Sequence, residues 1–371
     1  MEYRKLGRSG LKVSPLCLGA MMFGGAADAA SSQRIIGKAR DAGINFIDTA
    51  DVYNGGRSEE VVGRSIRAER DRWVVATKVN GIMGSGPNER GSSRKWILEA
   101  ARRSLVRLGT DYIDIYYLHR EDLETPLEES VRAMGDLVRS GQVRYFALSN
   151  HRAWRVAEIC NICDRLGIDR PVASQPHYNA LNRMAEIEHL PAAAHYGLGI
   201  VPYSPLARGV LTGKYDPDAP PPEESRAARK DARMLQTEWR RESLLIAKKL
   251  KAHAEARGVS PSQLAVAWGA QQPPRNLSHL RAAHRGAAVR LSRRIGACLH
   301  ARKRSIRQFP RCTRSSIDRG IYGSDGTSGG ANSPLAAAVA GKPTAKIATQ
   351  SVSAIGGKGR GCGPLAKPTN G

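Results

Sequence analysis

The sequence predicts an α/β protein, an (α/β)₈ or TIM barrel preceded by a β-hairpin. Seven apolar, strand-like stretches alternate with helical patterns before residue 205, and such alternation indicates a parallel sheet. No G-x-G-x-x-G motif follows the first strand, which argues against an open dinucleotide-binding sheet. The region with this alternation, residues 1–268, is close to the roughly 250 residues of a typical TIM barrel.

The individual elements follow in chain order. Residues 3–13 predict a short hairpin around a Gly/Ser turn. The predicted strands are 16–18, 44–47, 73–76, 113–118, 145–148, 172–174 and 200–202. Helical patterns at 31–42, 94–108 and 127–140 are each followed by a glycine, namely Gly43, Gly109 and Gly141, as expected at a helix end. Ser260 and Pro261 then open a further helix, as N-cap and first helical residue.

After this helix the pattern changes. No eighth strand is recognisable from Gly269 onwards; the nearest candidate, 287–291, is short and flanked by arginines. The last 103 residues hold 18 Lys and Arg against two acidic residues, so they carry +16 of the net charge of +24. Gly, Ser, Ala and Arg dominate here, and such a segment buries too little apolar surface to fold. We therefore divide the chain into a barrel, 1–268, and a disordered basic tail, 269–371, which we interpret as the product of a shifted reading frame.

Composition restricts the location and the class of protein. No run of about 18 apolar residues could span a membrane, and the charged N-terminus lacks the apolar core of a signal peptide. A soluble, cytoplasmic protein is the default expectation. Six cysteines are too few for a disulfide scaffold. Cys160 and Cys163 have the spacing of a metal or redox pair, but they fall within a predicted helix without a second pair, so no metal site is expected.

Four polar residues follow the ends of predicted strands, where TIM barrels place their active sites. Asp48 ends the second strand, Lys78 the third and His119 the fourth, while Tyr53 lies five residues after Asp48. Tyrosine is a weak acid, with a reference pKa of about 10, and a neighbouring ammonium favours its ionised form. Asp48 would hold Lys78 in place, and His119 can orient a carbonyl oxygen. The set suits proton donation to a carbonyl that accepts a hydride.

At this point the sequence resembles the aldo-keto reductase family, in the branch that includes potassium-channel β-subunits and many bacterial reductases. The matching motifs are GINFIDTADVY at 43–53, TK at 77–78, LHR at 118–120, ALSN at 147–150, Gln175, YSPLARG at 203–209 and LTGKY at 211–215. The resemblance implies NADP-dependent reduction of an aldehyde or ketone to an alcohol. It implies that Tyr53 is the general acid, that Asp48 and Lys78 tune it, and that His119 places the carbonyl.

The resemblance also implies a cofactor site for NADP (NADPH) and a small carbonyl compound as substrate. Ser149, Asn150 and Gln175 match the residues that hold the nicotinamide amide, and Tyr203 matches the ring that stacks on it. The cofactor-binding residues implied in full are Asp48, Ser149, Asn150, Gln175, Tyr203, Ser204, Pro205, Leu206 and Lys214. The family's eighth strand and the helix that grips the adenosine 2′-phosphate are not recognisable after Gly269, which leaves barrel closure and the preference for NADP over NAD open.

Two other functions stay open. The first is a cofactor-binding or partner-binding protein with this fold and little turnover, although the complete set of four rim residues favours an enzyme. The second is a nucleic-acid binder, suggested by the basic cluster 302–311, which lacks interleaved aromatic residues and a recognisable binding fold. Neither a nucleic-acid nor a membrane partner is expected, and the sequence leaves the oligomeric state and the physiological substrate undetermined.

Overall fold

A computed structural model describes residues 1–271 and 278–281. Its main feature is an eight-stranded parallel sheet, in which strand order follows chain order apart from the last strand. The strands are β1 Arg4–Lys5, β2 Lys12–Val13, β3 Leu16–Gly19, β4 Phe46–Asp48, β5 Val74–Val79, β6 Ile113–Leu118, β7 Val143–Ser149, β8 Ala173–Gln175, β9 Gly199–Ile200 and β10 Ser278–Arg281. The predicted α/β barrel framework is therefore confirmed, with β3–β9 in the predicted positions.

The helices connect successive strands and pack against their neighbours in the chain. They are α1 Ala29–Asp41, α2 Arg57–Ile66, α3 Arg94–Leu108, α4 Leu127–Arg139, α5 Ala153–Leu166, α6 His189–Tyr196, α7 Ala232–Thr237, α8 Arg241–Glu255 and α9 Pro261–Gln271. The predicted caps form: Gly109 ends α3 in the left-handed conformation, with a φ of 63°. At the start of α9, the Gln263 amide donates to Ser260 Oγ and the Ser260 amide donates to Gln263 Oε1.

The prediction of a missing eighth strand was wrong. Strand β10 pairs in parallel with β3, from Ser278 opposite Leu16 to Arg281 opposite Gly19. This is the position of the eighth strand in a barrel, because β10 lies beside the first strand of the series. Within the described ranges, no ladder joins β9 to β10. The alternative candidate, 287–291, and the predicted disordered tail lie outside the described residues, apart from the segments 269–271 and 278–281.

Two apolar cores lie on the two faces of the sheet. Residues such as Leu18, Ile47 and Tyr116 pack with the helices. Their neighbours along the strands form a second, inner cluster, which comprises Leu6, Val13, Cys17, Phe46, Val74, Ala76, Ile115, Tyr117, Ala147, Ala173 and Val201. Alternate residues of a strand point to opposite faces, so this division defines which positions point into the barrel.

The N-terminal hairpin of β1 and β2 is confirmed, with Arg4 opposite Val13. Leu6 and Val13 contribute to the inner cluster, so the hairpin covers one end of the barrel. Arg4 Nη1 donates a hydrogen bond of 3.1 Å to the backbone oxygen of Ala270, in the last turn of α9. The first and last parts of the barrel are thereby connected directly.

A third cluster lies outside the barrel proper, after β9. It joins the turn around Leu211 and Tyr215 to α7, through Met234, and to α8, through Leu244. The predicted long loop, 217–233, runs without helix or strand as far as residue 231, and α7 follows. The segment between β9 and α8 is therefore held by a small apolar cluster that it shares with α8 and α9.

No helix in residues 1–271 is both long and apolar enough to cross a membrane. The described residues belong to one compact unit, within Met1–Phe309.

Candidate active site

The four predicted rim residues come together at the carboxyl ends of β4, β5 and β6. Phe46, Val74 and Ile115 belong to the inner cluster, and every second residue after them points the same way. Asp48, Lys78 and His119 continue these three series, so the fold directs all of them into the barrel mouth. Tyr53 is the first residue of a 3₁₀ turn, Tyr53–Gly56, shortly after β4.

The centre of the site is a buried ion pair. Lys78 Nζ lies 2.5 Å from Asp48 Oδ1 and donates a second bond of 2.6 Å to the backbone oxygen of Thr49, and both ionised side chains are fully buried. Burial acts to lower the pKa of Lys78, but Asp48 and Tyr53 act in the opposite direction and raise it above its usual value of 10.5 overall. Lys78 therefore remains an ammonium at neutral pH.

This ammonium reaches the tyrosine. Lys78 Nζ lies 3.5 Å from the Tyr53 hydroxyl oxygen. The rings of Tyr53 and His119 meet edge to face, with centroids 5.8 Å apart. The hydroxyl of Tyr53 and the imidazole of His119 thus border the same space, next to one fixed positive charge.

His119 is held in its neutral form. Burial first, and the charge of Lys78 second, lower its pKa to about 3. Its Nδ1 is buried and has no hydrogen-bond partner among the described residues. Buried polar atoms in folded proteins are nearly always paired, so an unpaired ring nitrogen at a strand end indicates a place for a ligand group. A neutral imidazole can donate a hydrogen bond to a carbonyl oxygen and orient it.

The second carboxylate oxygen of Asp48 extends the network across the barrel. Gln175, the last residue of β8, donates from Nε2 to Asp48 Oδ2 over 3.1 Å. Ser149, the last residue of β7, donates from Oγ to the backbone oxygen of Gln175 over 3.0 Å. Both residues were predicted to hold the nicotinamide, and the structure connects them with Asp48 through these hydrogen bonds.

Asn150 connects this network with the predicted stacking ring. Its Nδ2 donates to the backbone oxygen of His119 over 2.9 Å and to Ser149 Oγ over 3.1 Å. Its Oδ1 accepts a bond of 2.8 Å from the Tyr203 hydroxyl. Asn150 itself has a φ of 54°, a left-handed conformation that asparagine tolerates better than most residues. The predicted nicotinamide residues are therefore contiguous.

The predicted cofactor loop follows Tyr203. Ser204, Ala207 and Arg208 have φ values of 58°, 46° and 53°, an unusual series for residues other than glycine. Strained backbone of this kind is concentrated at ligand-binding segments. Gly209, with a φ of 105°, completes the turn. Pro205 is buried and Leu206 is half-buried, packed against the apolar cluster beside the barrel.

The side of this loop carries groups that suit a phosphate-bearing cofactor. The exposed ammonium of Lys214 lies over the ring of Tyr215, at 5.1 Å from its centroid. The hydroxyl of Tyr215 is buried without a partner in the described part of the chain. A cation beside an unpaired hydroxyl fits a dinucleotide, and the residues present are thus compatible with NADP.

The sequence did not reveal a second buried network, on the outer face of β5. Thr77 Oγ1 donates to Glu59 Oε1 over 2.5 Å, and Arg107 Nε donates to Glu59 Oε2 over 2.6 Å. Asp51 lies in the same region; burial, followed by the charge of Glu59, raises its pKa to about 7. Glu59, Thr77 and Arg107 lie on three different elements, so no local spacing in the sequence connects them.

Cys160 and Cys163 lie on the buried side of α5. Both are buried in α5 with free thiols, and burial raises the pKa of each thiol to about 12. A thiol with such a pKa is inert as a nucleophile at neutral pH.

Comparison with known proteins identifies relatives of this chain. The model of the aldo/keto reductase family matches residues 15–294, which extends past the boundary we placed at Gly269. Probable voltage-gated potassium channel β-subunits of Oryza sativa subsp. japonica and Arabidopsis thaliana are each 41% identical over 278 residues, 74% of this chain and 84% of theirs. A putative β-subunit from Schizosaccharomyces pombe is 39% identical over 285 residues, 74% of this chain and 82% of its own length. The chain belongs to the aldo/keto reductase family.

Proposed function

We propose that this protein is an NADP-dependent reductase that converts a small aldehyde or ketone to its alcohol, with Tyr53 as the general acid. One observation carries the proposal: the Tyr53 hydroxyl lies 3.5 Å from an ammonium that is fully buried and paired with Asp48. An ammonium at this distance stabilises the phenolate that remains after proton donation.

Each rim residue has a separate role in the proposed reaction. NADPH, when bound, supplies the hydride. Tyr53 donates its proton to the substrate oxygen as negative charge builds up there. Lys78 stabilises the phenolate, Asp48 holds Lys78, and the neutral His119 orients the carbonyl oxygen. General acid catalysis of this kind contributes roughly 10²–10⁴-fold to a rate.

The proposed cofactor site extends along the strand ends next to Tyr53. Asp48, Ser149, Asn150 and Gln175 would hold the nicotinamide end, beside Tyr203 as the stacking ring. Ser204, Pro205 and Leu206 would line the pyrophosphate, and the exposed Lys214 would contribute charge. The preference for NADP over NAD depends on residues after Gly269 and is proposed on the family relationship.

NADPH oxidation with 4-nitrobenzaldehyde tests this function in the full-length chain. Wild type should consume NADPH, and Tyr53→Phe should lose roughly 10²–10⁴-fold in rate while retaining NADPH binding. Equal rates in two folded, NADPH-binding proteins would disprove the assignment of Tyr53.

A second candidate function is suggested by the relatives, which are potassium-channel β-subunits. In this alternative, the protein binds the cofactor and a partner, such as a channel, and turns over little. Single-turnover mixing of the NADPH complex with the aldehyde separates the two functions. A reductase transfers the hydride within one mixing experiment, whereas a binding module leaves the NADPH absorbance unchanged.

A further inference from the structure

A histidine backs the predicted stacking ring. The rings of His177 and Tyr203 are stacked, with centroids 5.0 Å apart and planes 11° from parallel. The two residues follow the neighbouring strands β8 and β9, and a backbone bridge joins them. Any ring that stacks on Tyr203 must therefore use the face opposite His177. The hydroxyl of Tyr203, bonded to Asn150, restrains the ring in its own plane.

His177 is itself held on both nitrogens. Its Nε2 lies 2.7 Å from Glu238 Oε1, and its Nδ1 lies 3.2 Å from Asn182 Nδ2. Because the Asn182 amide nitrogen can only donate, Nδ1 accepts and Nε2 carries the hydrogen that is donated to Glu238. These two bonds fix the orientation of the imidazole plane, and with it the surface against which Tyr203 rests.

Glu238 connects this pair with the segment after β9. Its carboxylate is almost fully buried, directly after α7, and Oε2 accepts a bond of 3.1 Å from Arg208 Nε. Arg208 lies in the left-handed turn of the predicted cofactor loop. One carboxylate thus bonds to a residue that follows β8 and to a residue in the turn after β9, and the removal of a partner from a buried charged group is strongly unfavourable.

We propose that His177 is a positioning residue for the nicotinamide ring, acting through Tyr203, and that Glu238 holds His177 in place. The inference rests on the proposed NADP binding and extends it to residues that make no contact with the reacting atoms. The proposed role of His177 differs from a purely structural one, because His177 would stabilise the contact between Tyr203 and the cofactor.

NADPH dissociation, measured by stopped-flow fluorescence on the full-length chain, provides the first test. His177→Ala removes the stacked ring and should increase the dissociation rate roughly 2- to 10-fold, the range that one aromatic stack contributes. His177→Phe retains an aromatic ring, so its NADPH dissociation rate should lie between those of wild type and His177→Ala. Glu238→Gln should also increase the rate, and adding it to His177→Ala should have little further effect, since the two residues act through one contact.

Asp114→Asn is the matched control. Asp114 is also largely buried and pairs with an arginine, Arg70, at 2.7 Å, but at the opposite end of β6. The variant should lower the melting temperature and leave the dissociation rate unchanged. The proposal is overturned if His177→Ala dissociates NADPH at the wild-type rate, or if Asp114→Asn accelerates dissociation equally.

Hydrogen exchange of the cofactor-free protein provides a second readout. Glu238→Gln should increase exchange in α7 and in residues 203–209, which the carboxylate connects, and leave α3 unchanged. Unchanged exchange would refute the holding role of Glu238. If the wild type binds no NADPH, the proposed function fails, and the exchange result still decides whether Glu238 secures this region.

Discussion

Lys78 and Asp48 form an ion pair from which solvent is excluded on both sides, with 2.5 Å between Nζ and Oδ1. Neither charge gains from hydration, so each depends on the other and on a few hydrogen bonds. Breaking such a pair by removing one partner costs about 3–5 kcal/mol, whereas replacing both partners can be almost neutral.

Lys78→Met should therefore lower the free energy of unfolding by about 3–5 kcal/mol, because it leaves the Asp48 carboxylate buried without its cation. Urea denaturation followed by circular dichroism measures this change. The double variant Lys78→Met/Asp48→Asn should regain most of the stability and none of the NADPH-dependent activity. A single variant as stable as wild type would contradict the idea that both groups are charged in the folded state.

The Asp51 carboxyl should reduce stability at alkaline pH. Its folded pKa of about 7 lies above the reference value of 3.8, because burial and Glu59 outweigh the opposing charges of Arg107 and Lys78. Between these two pH values the folded state binds more protons than the unfolded state, so stability falls as pH rises from about 4 to 7, and the contribution is lost above pH 7. Asp51→Asn should match wild type near pH 4 and exceed it by roughly 4 kcal/mol at pH 8. Urea denaturation of wild type and Asp51→Asn at pH 4 and pH 8 measures the difference. An equal free energy of unfolding for the two proteins at pH 8 would contradict the raised pKa of Asp51.

His119 should have the opposite effect on the acid side. Its folded pKa of about 3 lies below the reference value of 6.5, mainly because of burial. Below pH 6.5 the imidazole is protonated in the unfolded chain but stays neutral in the folded protein. The contribution of His119 to the free energy of unfolding is therefore present above pH 6.5 and is lost as pH falls towards 3. His119→Gln should flatten the dependence of unfolding free energy on pH between 6 and 4, by up to about 1.4 kcal/mol per pH unit. Identical slopes in the two proteins would indicate that the folded imidazole protonates normally.

We predicted that the basic segment after Trp268 is the product of a shifted reading frame or of an equivalent gene-model error; because residues 278–281 form β10 beside β3, the change of frame should lie after Arg281. Acidic residues almost disappear there, while Arg, Gly, Ser and Ala take over, as expected from an out-of-frame reading of a GC-rich gene. Translation of the nucleotide sequence downstream of codon 268 in the other two frames is the test. One frame should encode the helix with Arg, Gln and Asn that binds the 2′-phosphate. If neither does so, the tail is a genuine extension.

The rim residues could be predicted because strands have a period of two. Once β4, β5 and β6 are placed, Asp48, Lys78 and His119 necessarily point to one side. Strand β10 could not be predicted in the same way. Its sequence, SHLR, has little intrinsic strand propensity, and its conformation depends on pairing with β3.

The buried partners were missed for a related reason. Glu238 is 61 positions away from His177 along the chain, and the three residues of the Glu59 network lie on separate elements. From the sequence alone, charged residues outside a periodic pattern are predicted to be exposed to solvent. Only the folding of distant segments onto each other reveals that Glu59 and Glu238 are buried.

The pairing of β10 with β3 has a consequence for folding during synthesis on the ribosome. Leu16 and Ser278 are about 260 residues apart, and synthesis proceeds at about 5–20 residues per second, so the first strand waits roughly 13–50 s for its neighbour. Throughout that interval one edge of β3, whose four residues are all buried in the finished protein, remains unpaired. The nascent chain therefore exposes an unpaired strand edge, available for pairing with other chains, for most of its translation.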